Sequence, residues 1–337
     1  MNRKKWGTFV SAFFLVVFFF VGAFHSGWLS NQSLCYAKDS FPQKAIEVVV
    51  RFGPGGGADR LARTLTKLIE KKHPNISFAV LNKPGANSLL AVDYFMGKPA
   101  DGYTILNVDA TIPLVELLKQ TRYKLEDYIH LCRANIDTAT FCIRPDEKRF
   151  RTGKEMIDYA KKNPGKLSLS TTGIGSSFEY SIRYFEHLAG IKIKHLGYAK
   201  AGQRRAAVLG GHVDMVAENF SSLAPMIRSK KLAPILFLSD KRIKDFPNVQ
   251  TGKELGVDFS WGQVRGWAVK KGTPSDRVAY LEKLFKEAIE SAEYRQWEEK
   301  NYFPEHGYLS GKEWKQYLEM ERSRFEKILE TFGAKPK

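Results

Sequence analysis

The chain has 337 residues, 53 of them basic and 36 acidic, with a formal net charge of +17. This length is too great for one ordinary core and suits two domains. The charge admits a nucleic-acid or anionic-surface partner. However, the basic residues are scattered among Glu and Asp and form no run longer than three. This pattern favours a solvated basic surface and predicts no nucleic-acid partner.

Residues 1–37 read as a secretory signal. Basic residues at positions 3–5 precede a nearly unbroken apolar run from Phe9 to Phe24, and small residues follow near Ala37. We expect cleavage after Ala37 and a periplasmic location. Cleavage removes three basic and no acidic residues, so the mature chain has a net charge of +14. An uncleaved membrane anchor is the alternative, although the run is short for a span of roughly 20 residues. Leu34 disfavours a lipoprotein signal at Cys35.

The first half of the mature chain alternates strands and helices. Leu61, Leu65 and Leu68 recur at helical spacing, and Asp101-Gly102 marks a turn. The predicted elements are a strand over Ala45–Val50, a glycine loop over 53–57, a helix over Asp59–Lys72, and strands over Phe78–Leu81 and Tyr103–Val108.

The second half repeats this order and ends in two long helices. The predicted elements are a strand over Leu167–Thr171, a glycine loop over 172–177, a helix over Phe178–Leu188, strands over Val213–Val216, Ile235–Leu238 and Gly266–Lys270, and helices over Ser275–Lys300 and from Ser310. Ser310 and Glu313 match a capping box. The alternation predicts an α/β protein with parallel sheets covered by helices, and we expect the terminal helices to pack on the first domain.

Two cysteines, Cys132 and Cys142, remain after loss of the signal. They flank a segment that has the length of a hairpin, and in an oxidising compartment they are candidates for a disulfide. Their sequence positions do not decide whether they pair.

The two glycine loops carry the chemistry. The N-terminus of a helix offers free N–H groups and a partial positive charge, and glycines allow an anion to approach. Ligands bind at the carboxyl ends of the strands in open parallel sheets. One such loop per domain predicts a clamp that closes on an anion by a hinge, although a glycine-rich turn is often only a tight connection.

Other functional motifs are weaker. Gly53, Gly55 and Ala58 fit a dinucleotide fingerprint, but Asn82 and Lys83 stand where its acidic residue is expected. A P-loop is excluded because no Gly-Lys-Ser/Thr follows, and the histidines show no metal-binding spacing. The sequence therefore predicts no cofactor, no metal site and no catalytic residue.

Segments in order along the mature chain resemble the tripartite tricarboxylate transporter substrate-binding proteins, the TctC or Bug family. The resemblance rests on residues 41–59 (FPQKAIEVVVRFGPGGGAD), 82–86 (NKPGA), 99–104 (PADGYT), 173–176 (GIGS), 210–214 (GGHVD) and 271–274 (KGTP).

The resemblance implies a two-lobed periplasmic-binding-protein fold of type II character with a ligand cleft between the lobes. It implies lobe 1 over 38–142, lobe 2 over 143–265, and a return to lobe 1 over 266–337. Its ligands are small carboxylates: di- and tricarboxylates, acidic amino acids and aromatic acids. The positions that match its ligand-binding residues are Phe52, Gly55, Gly56, Gly57, Asp59, Asp109, Ala110, Thr111, Thr172, Gly173, Gly175, Ser176 and Asn219.

The sequence departs from the family pattern at several positions. Glu179 stands where a histidine is usual, which favours a ligand that carries an amine. Asn87 and Ser88 replace glycines, and Ala58 lacks a hydroxyl that is often present. Ser176 is expected to be a helix cap or a ligand donor rather than a nucleophile.

These observations predict a monomeric, non-enzymatic receptor that captures a small organic anion and delivers it to membrane transporter subunits. Two alternatives stay open: an exported enzyme that acts on a carboxylate, and a receptor that signals through a membrane partner.

Overall fold

The computed structural model describes residues 41–173, 175–198, 200–303 and 306–333. The segment Pro42–Lys337 forms one compact unit. The predicted signal over residues 1–37 lies outside the described residues. Among the helices that are described, none is long and apolar enough to cross a membrane.

The first half of the chain begins with a βα alternation, and we refer to the sheet that it forms as the sheet of lobe 1. The elements of this half are β1 (Ile46–Val50), α1 (Gly57–Lys72), β2 (Phe78–Asn82), α2 (Leu89–Met96), β3 (Thr104–Val108), α3 (Thr111–Leu117) and β4 (Tyr128–Ile143).

The second half continues with a second group of paired strands, which we refer to as lobe 2, and ends with a segment, called the returning segment, whose first strand pairs with the first sheet. Lobe 2 contains α4 (Gly153–Lys162), β5 (Ser168–Thr171), α5 (Ser177–Ala189), β6 (Lys194–Gly197), α6 (Ala201–Leu209), β7 (Met215–Asn219), α7 (Phe220–Arg228), β8 (Ala233–Phe237) and β9 (Gln250–Thr251). The returning segment contains β10 (Gly262–Lys270), α8 (Ser275–Ile289), α9 (Ala292–Lys300), β11 (Leu309–Ser310) and α10 (Gly311–Thr331).

One long strand joins the sheets of the two lobes. Residues 128–138 of β4 pair with β10, and residues 139–143 pair with β7 and β8. The strand order is β2-β1-β3-β10-β4-β7-β5-β6. Within each lobe the strands that precede the glycine loops lie beside parallel neighbours. The carboxyl ends of these strands therefore meet at one edge in each lobe.

The sheet is mixed, which corrects the prediction of parallel sheets. β10 runs antiparallel to both β3 and β4, and β4 runs antiparallel to β7 and β8. These antiparallel strands occur where the chain passes from one lobe to the other. A βαβ unit keeps neighbouring strands parallel, whereas a strand that crosses directly between lobes runs opposite to its neighbours.

Helix α1 shows why the glycine loop before it is fixed in place. Leu61, Leu65 and Ile69 are fully buried on its inner face, and burial of each such side chain contributes about 1.5–3 kcal/mol. Asp59 lies in the first turn and Lys71 and Lys72 in the last, which suits the helix dipole. The N-terminus of α1 is thus held rigidly at the sheet edge.

Two of the C-terminal helices pack against α1, in the first half of the chain. These are α8 and α9, and Lys71 and Lys72 pair with Glu293 and Glu287 of these helices. The helix predicted over Ser275–Lys300 is two helices, because Ser291 caps α9 by accepting the Tyr294 N–H. The capping box at Ser310 and Glu313 is present.

The two cysteines do not form a disulfide. Cys132 and Cys142 are buried free thiols on the single strand β4, not on either side of a hairpin. Ten residues of strand separate their Cα atoms by about 33 Å, whereas a disulfide requires less than about 7 Å.

Candidate functional site

The first glycine loop, residues 51–56, is tied to its own helix by Asp59. The Gly55 N–H donates to Oδ2 of Asp59 at 2.9 Å, and Nε of Arg63 donates to Oδ1 at 3.0 Å. Gly55 has φ +75°, a conformation that favours glycine. Burial raises the pKa of Asp59, but the hydrogen bonds from Arg63 and Gly55 outweigh it and hold the pKa below its ordinary value. Both oxygens of Asp59 are therefore occupied within the chain.

The second glycine loop repeats this arrangement residue for residue. The Gly175 N–H donates to Oε2 of Glu179 at 2.6 Å, and Nε of Arg183 donates to Oε1 at 2.8 Å. Gly175 has φ +83°. Glu179 is 3% exposed, so its carboxylate holds the loop and Arg183 neutralises it. This geometry removes the reason to expect a ligand amine at Glu179.

At both loops, N–H groups in the first turn of the helix have no acceptor among the residues that the structure describes. In α1 the N–H groups of Gly57, Ala58 and Asp59 make no hydrogen bond within the described residues, and the same holds for Ser177 and Phe178 in α5. Such groups carry the positive end of the helix dipole and are suited to bind an anion.

The lobes meet beside these helix ends. The hydroxyl of Thr111, at the start of α3, lies 3.2 Å from that of Ser177, at the start of α5. The Thr111 N–H donates to Asp109 at 2.8 Å. Contact between the first turns of α3 and α5 brings the loop edges of the two lobes together.

Asp109 lies beside this junction, two residues before Thr111. It is fully buried, forms an ion pair with Arg51, and accepts a hydrogen bond from Gln263 at 3.0 Å. Arg51 is also buried and donates to the Asn107 carbonyl at 2.7 Å. Asp109 is thus placed to fix the strand ends, and its carboxylate does not face open space; the adjoining Ala110 is buried as well.

The remaining predicted site residues are distributed over the same edges. The Thr172 and Ser176 hydroxyls lie 2.6 Å apart, and Ser176 caps α5 by accepting the Glu179 N–H, as expected. Asn219 ends β7 and its Oδ1 is buried without a hydrogen bond in the described structure. Four glycines of the two loops have open space beside them, since an added Cβ would meet nothing within 4 Å: Gly53, Gly55, Gly173 and Gly175. Phe52 is 36% exposed beside the first loop.

A charged cluster that the sequence patterns did not indicate lies between the lobes. Arg265 of β10 pairs with the buried Asp137 of β4 at 3.3 Å, and Arg204 and Arg205 pair with Glu218 at 2.7 and 3.2 Å. The first turn of α1 abuts this cluster, because a methyl group added at Gly57 would lie 2.7 Å from Nη2 of Arg265. We call these five residues and Arg60 the interlobe charge cluster.

Asp137 connects this cluster to lobe 2. It accepts the Ser221 N–H at 3.1 Å and the Ser221 hydroxyl at 2.6 Å. Burial raises the pKa of Asp137 against the opposing effects of Arg265 and Ser221. The strand β4 thus places a carboxylate between a cation of lobe 1 and a helix of lobe 2.

An open depression of about 500 Å³ lies elsewhere on the described surface. It is lined by residues that belong to neither glycine loop: Glu116, Lys124, Glu126, Asp127, Lys271 and Arg322. The described residues contain no group of three His, Cys, Asp or Glu that is placed to hold a metal ion. Among the described residues, the glycine loops offer backbone N–H donors suited to an anion.

Comparison with known proteins identifies the family of the chain. The model of the family described as "Tripartite tricarboxylate transporter family receptor", TctC, matches residues 61–334. The UPF0065 protein in the gbd 5' region of Cupriavidus necator is 31% identical over 264 residues, covering 77% of this chain and 78% of that protein.

Two solved structures share the fold. Rpa4515 of R. palustris, solved with adipate, has a TM-score of 0.79 and 22% identity, with 87% of this chain and 98% of that chain covered. MatC of Rhodopseudomonas palustris, solved with bound malate, has a TM-score of 0.74 and 22% identity over 86% of this chain and 100% of that chain. The fold is that of the two-lobed periplasmic solute-binding proteins. The chain belongs to the TctC family of tripartite tricarboxylate transporter receptors.

Proposed function

We propose that this protein is an extracytoplasmic receptor that captures a small carboxylate between its two glycine loops. The observation that carries the proposal is the pair of helix ends, α1 and α5, whose first-turn N–H groups have no acceptor in the described chain. A carboxylate has acceptor oxygens for donors from both sides. Binding from both lobes links capture to closure of the hinge.

The twin acid–arginine pairs support a receptor that holds its loops ready. Asp59 and Glu179 each fix a left-handed glycine and are each neutralised by an arginine one turn further on. Because each acidic charge is balanced by its own arginine, it repels an incoming anion less than a free carboxylate would. The preformed loops also reduce the entropy cost of binding.

The comparisons support the ligand class and the pathway. Two proteins of the same fold were solved with adipate and malate, and the family is described as transporter receptors. We propose that residues 1–37 direct export to the periplasm, that the lobes divide near residues 142 and 265, and that the monomer delivers its ligand to membrane transporter subunits.

The test is a titration of the mature chain, residues 38–337, and of a Gly56→Phe variant with a panel of di- and tricarboxylates, acidic amino acids and aromatic acids. Gly56 has φ −72°, which phenylalanine can adopt, although an added Cβ would lie 3.3 Å from the Gly53 carbonyl oxygen and this loop atom must shift slightly. The phenyl ring then fills the space over the α1 N-terminus. We expect the wild type to bind one class, and the variant to lose that binding while it keeps its melting temperature.

Two results would argue against the proposal. Undiminished binding by Gly56→Phe would place the ligand away from the α1 N-terminus. Chemical conversion of the bound carboxylate, detected by mass spectrometry, would identify an exported enzyme instead.

A further inference from the structure

Arg60, in the first turn of the helix that follows the first glycine loop, has no ion-pair partner within the described part of the chain. It lies one turn from Gly57 in α1, and its side chain is exposed. It also makes no hydrogen bond through its side chain with any residue that the structure describes. Every other arginine of the interlobe charge cluster is ion-paired.

The surroundings of Arg60 come from both lobes. Arg265 and Asp137 on β10 and β4, and Arg205 and Glu218 on α6 and β7, are close enough to act on it electrostatically. Although Arg60 is exposed to solvent, desolvation by the neighbouring protein atoms, together with the guanidinium of Arg265, lowers the pKa of Arg60. Arginine nevertheless stays charged, so the guanidinium groups of Arg60, Arg205 and Arg265 lie near one another as cations.

The charges of the cluster do not balance. Its four guanidinium groups, those of Arg60, Arg204, Arg205 and Arg265, face two carboxylates, those of Asp137 and Glu218, which leaves a formal surplus of two positive charges. Protonation of the buried Asp137 would increase the surplus. Nearby pairs such as Asp59 with Arg63 and Glu179 with Arg183 are neutral and do not reduce it.

Resting on the proposed function, we propose that the interlobe charge cluster selects a dianion, and that Arg60 is the specificity-determining residue that pairs with the second acidic group of the ligand. One carboxylate of the ligand occupies the helix N–H groups of the two glycine loops. The other neutralises the guanidinium of Arg60 across the gap toward Arg205. A monoanion leaves this second position unpaired.

Matched pairs of acids test this directly: succinate with butyrate, glutarate with pentanoate, and adipate with hexanoate. Each is titrated into the wild type, Arg60→Gln, Arg60→Lys and the control Lys67→Gln, which removes one charge two turns along the same helix face. We expect the wild type to prefer the dicarboxylate of a pair. Arg60→Gln should lose roughly tenfold to hundredfold of its dicarboxylate affinity, the strength of a charge-assisted hydrogen bond.

The remaining titrations test the role of Arg60 independently of the proposed receptor function. Monocarboxylate affinity should be unchanged in Arg60→Gln, Arg60→Lys should recover part of the dicarboxylate affinity, and Lys67→Gln should match the wild type. Equal binding of mono- and dicarboxylates, or equal losses in Arg60→Gln and Lys67→Gln, would overturn the role of Arg60 and leave the receptor intact. Binding of neither acid class by the wild type would overturn both proposals.

Discussion

At the scale of single residues, each glycine loop is held by an acidic side chain of the helix that follows it. Asp59 and Glu179 bind the N–H of the glycine four residues earlier, and an arginine four residues later binds each of them. Arg63 also donates to Asn82 at 3.2 Å, and Asn82 donates to the Phe52 carbonyl at 2.9 Å. The first loop is therefore fastened at both ends.

Removal of this fastening should weaken ligand binding without unfolding the chain. In Asp59→Ala the Gly55 N–H and Arg63 lose their acceptor, and we expect about a tenfold loss of carboxylate affinity, which corresponds to a loss of roughly 1.4 kcal/mol. Asp59→Asn keeps an oxygen for Gly55 and should lose less. Calorimetric titration measures both variants; equal losses in the two, or no loss in either, would show that Asp59 does not order the loop.

The positions of these loops could be predicted from the sequence, but the hydrogen-bond partners of their side chains could not. The glycine pattern and the resemblance pointed to residues 51–59 and 172–176. Whether Asp59 faces a ligand or its own loop depends on the left-handed backbone of Gly55, which no local pattern specifies. The interlobe charge cluster was missed for a related reason, since its members are far apart in sequence. One signal was present: Arg133, Asn135 and Asp137 alternate with apolar residues, as in a strand with one polar face.

At the scale of elements, a strained turn precedes α2. Ala86, Asn87 and Ser88 all have positive φ, of 47°, 51° and 74°. These side chains therefore occupy a backbone conformation that glycine adopts more easily, at a cost of about 1–2 kcal/mol per residue. The departures at Asn87 and Ser88 thus carry a cost in stability.

Replacement of Ser88 by glycine should stabilise the protein. The relief of about 1–2 kcal/mol exceeds the entropy that glycine adds to the unfolded chain, about 0.4–1 kcal/mol. The melting temperature of Ser88→Gly should rise by about a degree or more. Ser222→Gly, inside α7, is the control and should destabilise the protein; a lower melting temperature for Ser88→Gly would disprove the strain.

The elements with simple periodicity were predicted well, and the crossing strand was not. The helices α1 and α5 and the strands before them begin and end within about two residues of the prediction, because their apolar faces are continuous. β4 was missed since its buried stretch contains Arg133, Asn135 and Asp137, whose partners come from other segments. The same omission led to the wrong placement of Cys132 and Cys142 on a hairpin.

At the scale of the whole molecule, the returning segment stabilises lobe 1 and also carries a buried acid. Glu298 of α9 is 4% exposed, and burial raises its pKa to about 7, although Arg295 opposes the shift. In the unfolded chain the same group ionises near pH 4.3. Between these two values the folded state binds more protons than the unfolded state, so the free energy of unfolding falls as pH rises.

Glu298→Gln should remove this penalty. We expect the melting temperature of Glu298→Gln minus that of the wild type to be larger at pH 8 than at pH 5. At pH 8 the wild type must bury a charged carboxylate at this position, and the variant does not. The control is Glu299→Gln, a substitution at the exposed neighbouring residue. Its effect on the melting temperature should be the same at pH 5 and pH 8. Identical effects of Glu298→Gln at both pH values would mean that Glu298 does not titrate in this range.

The proposed binding of a small carboxylate by the two lobes together is tested most directly by a calorimetric titration with the carboxylate panel. The mature chain is first unfolded and refolded to remove any copurified ligand. We expect saturable 1:1 binding of at least one carboxylate and a melting temperature that rises with its concentration. A refolded, cooperatively melting protein that binds no member of the panel would contradict the proposal.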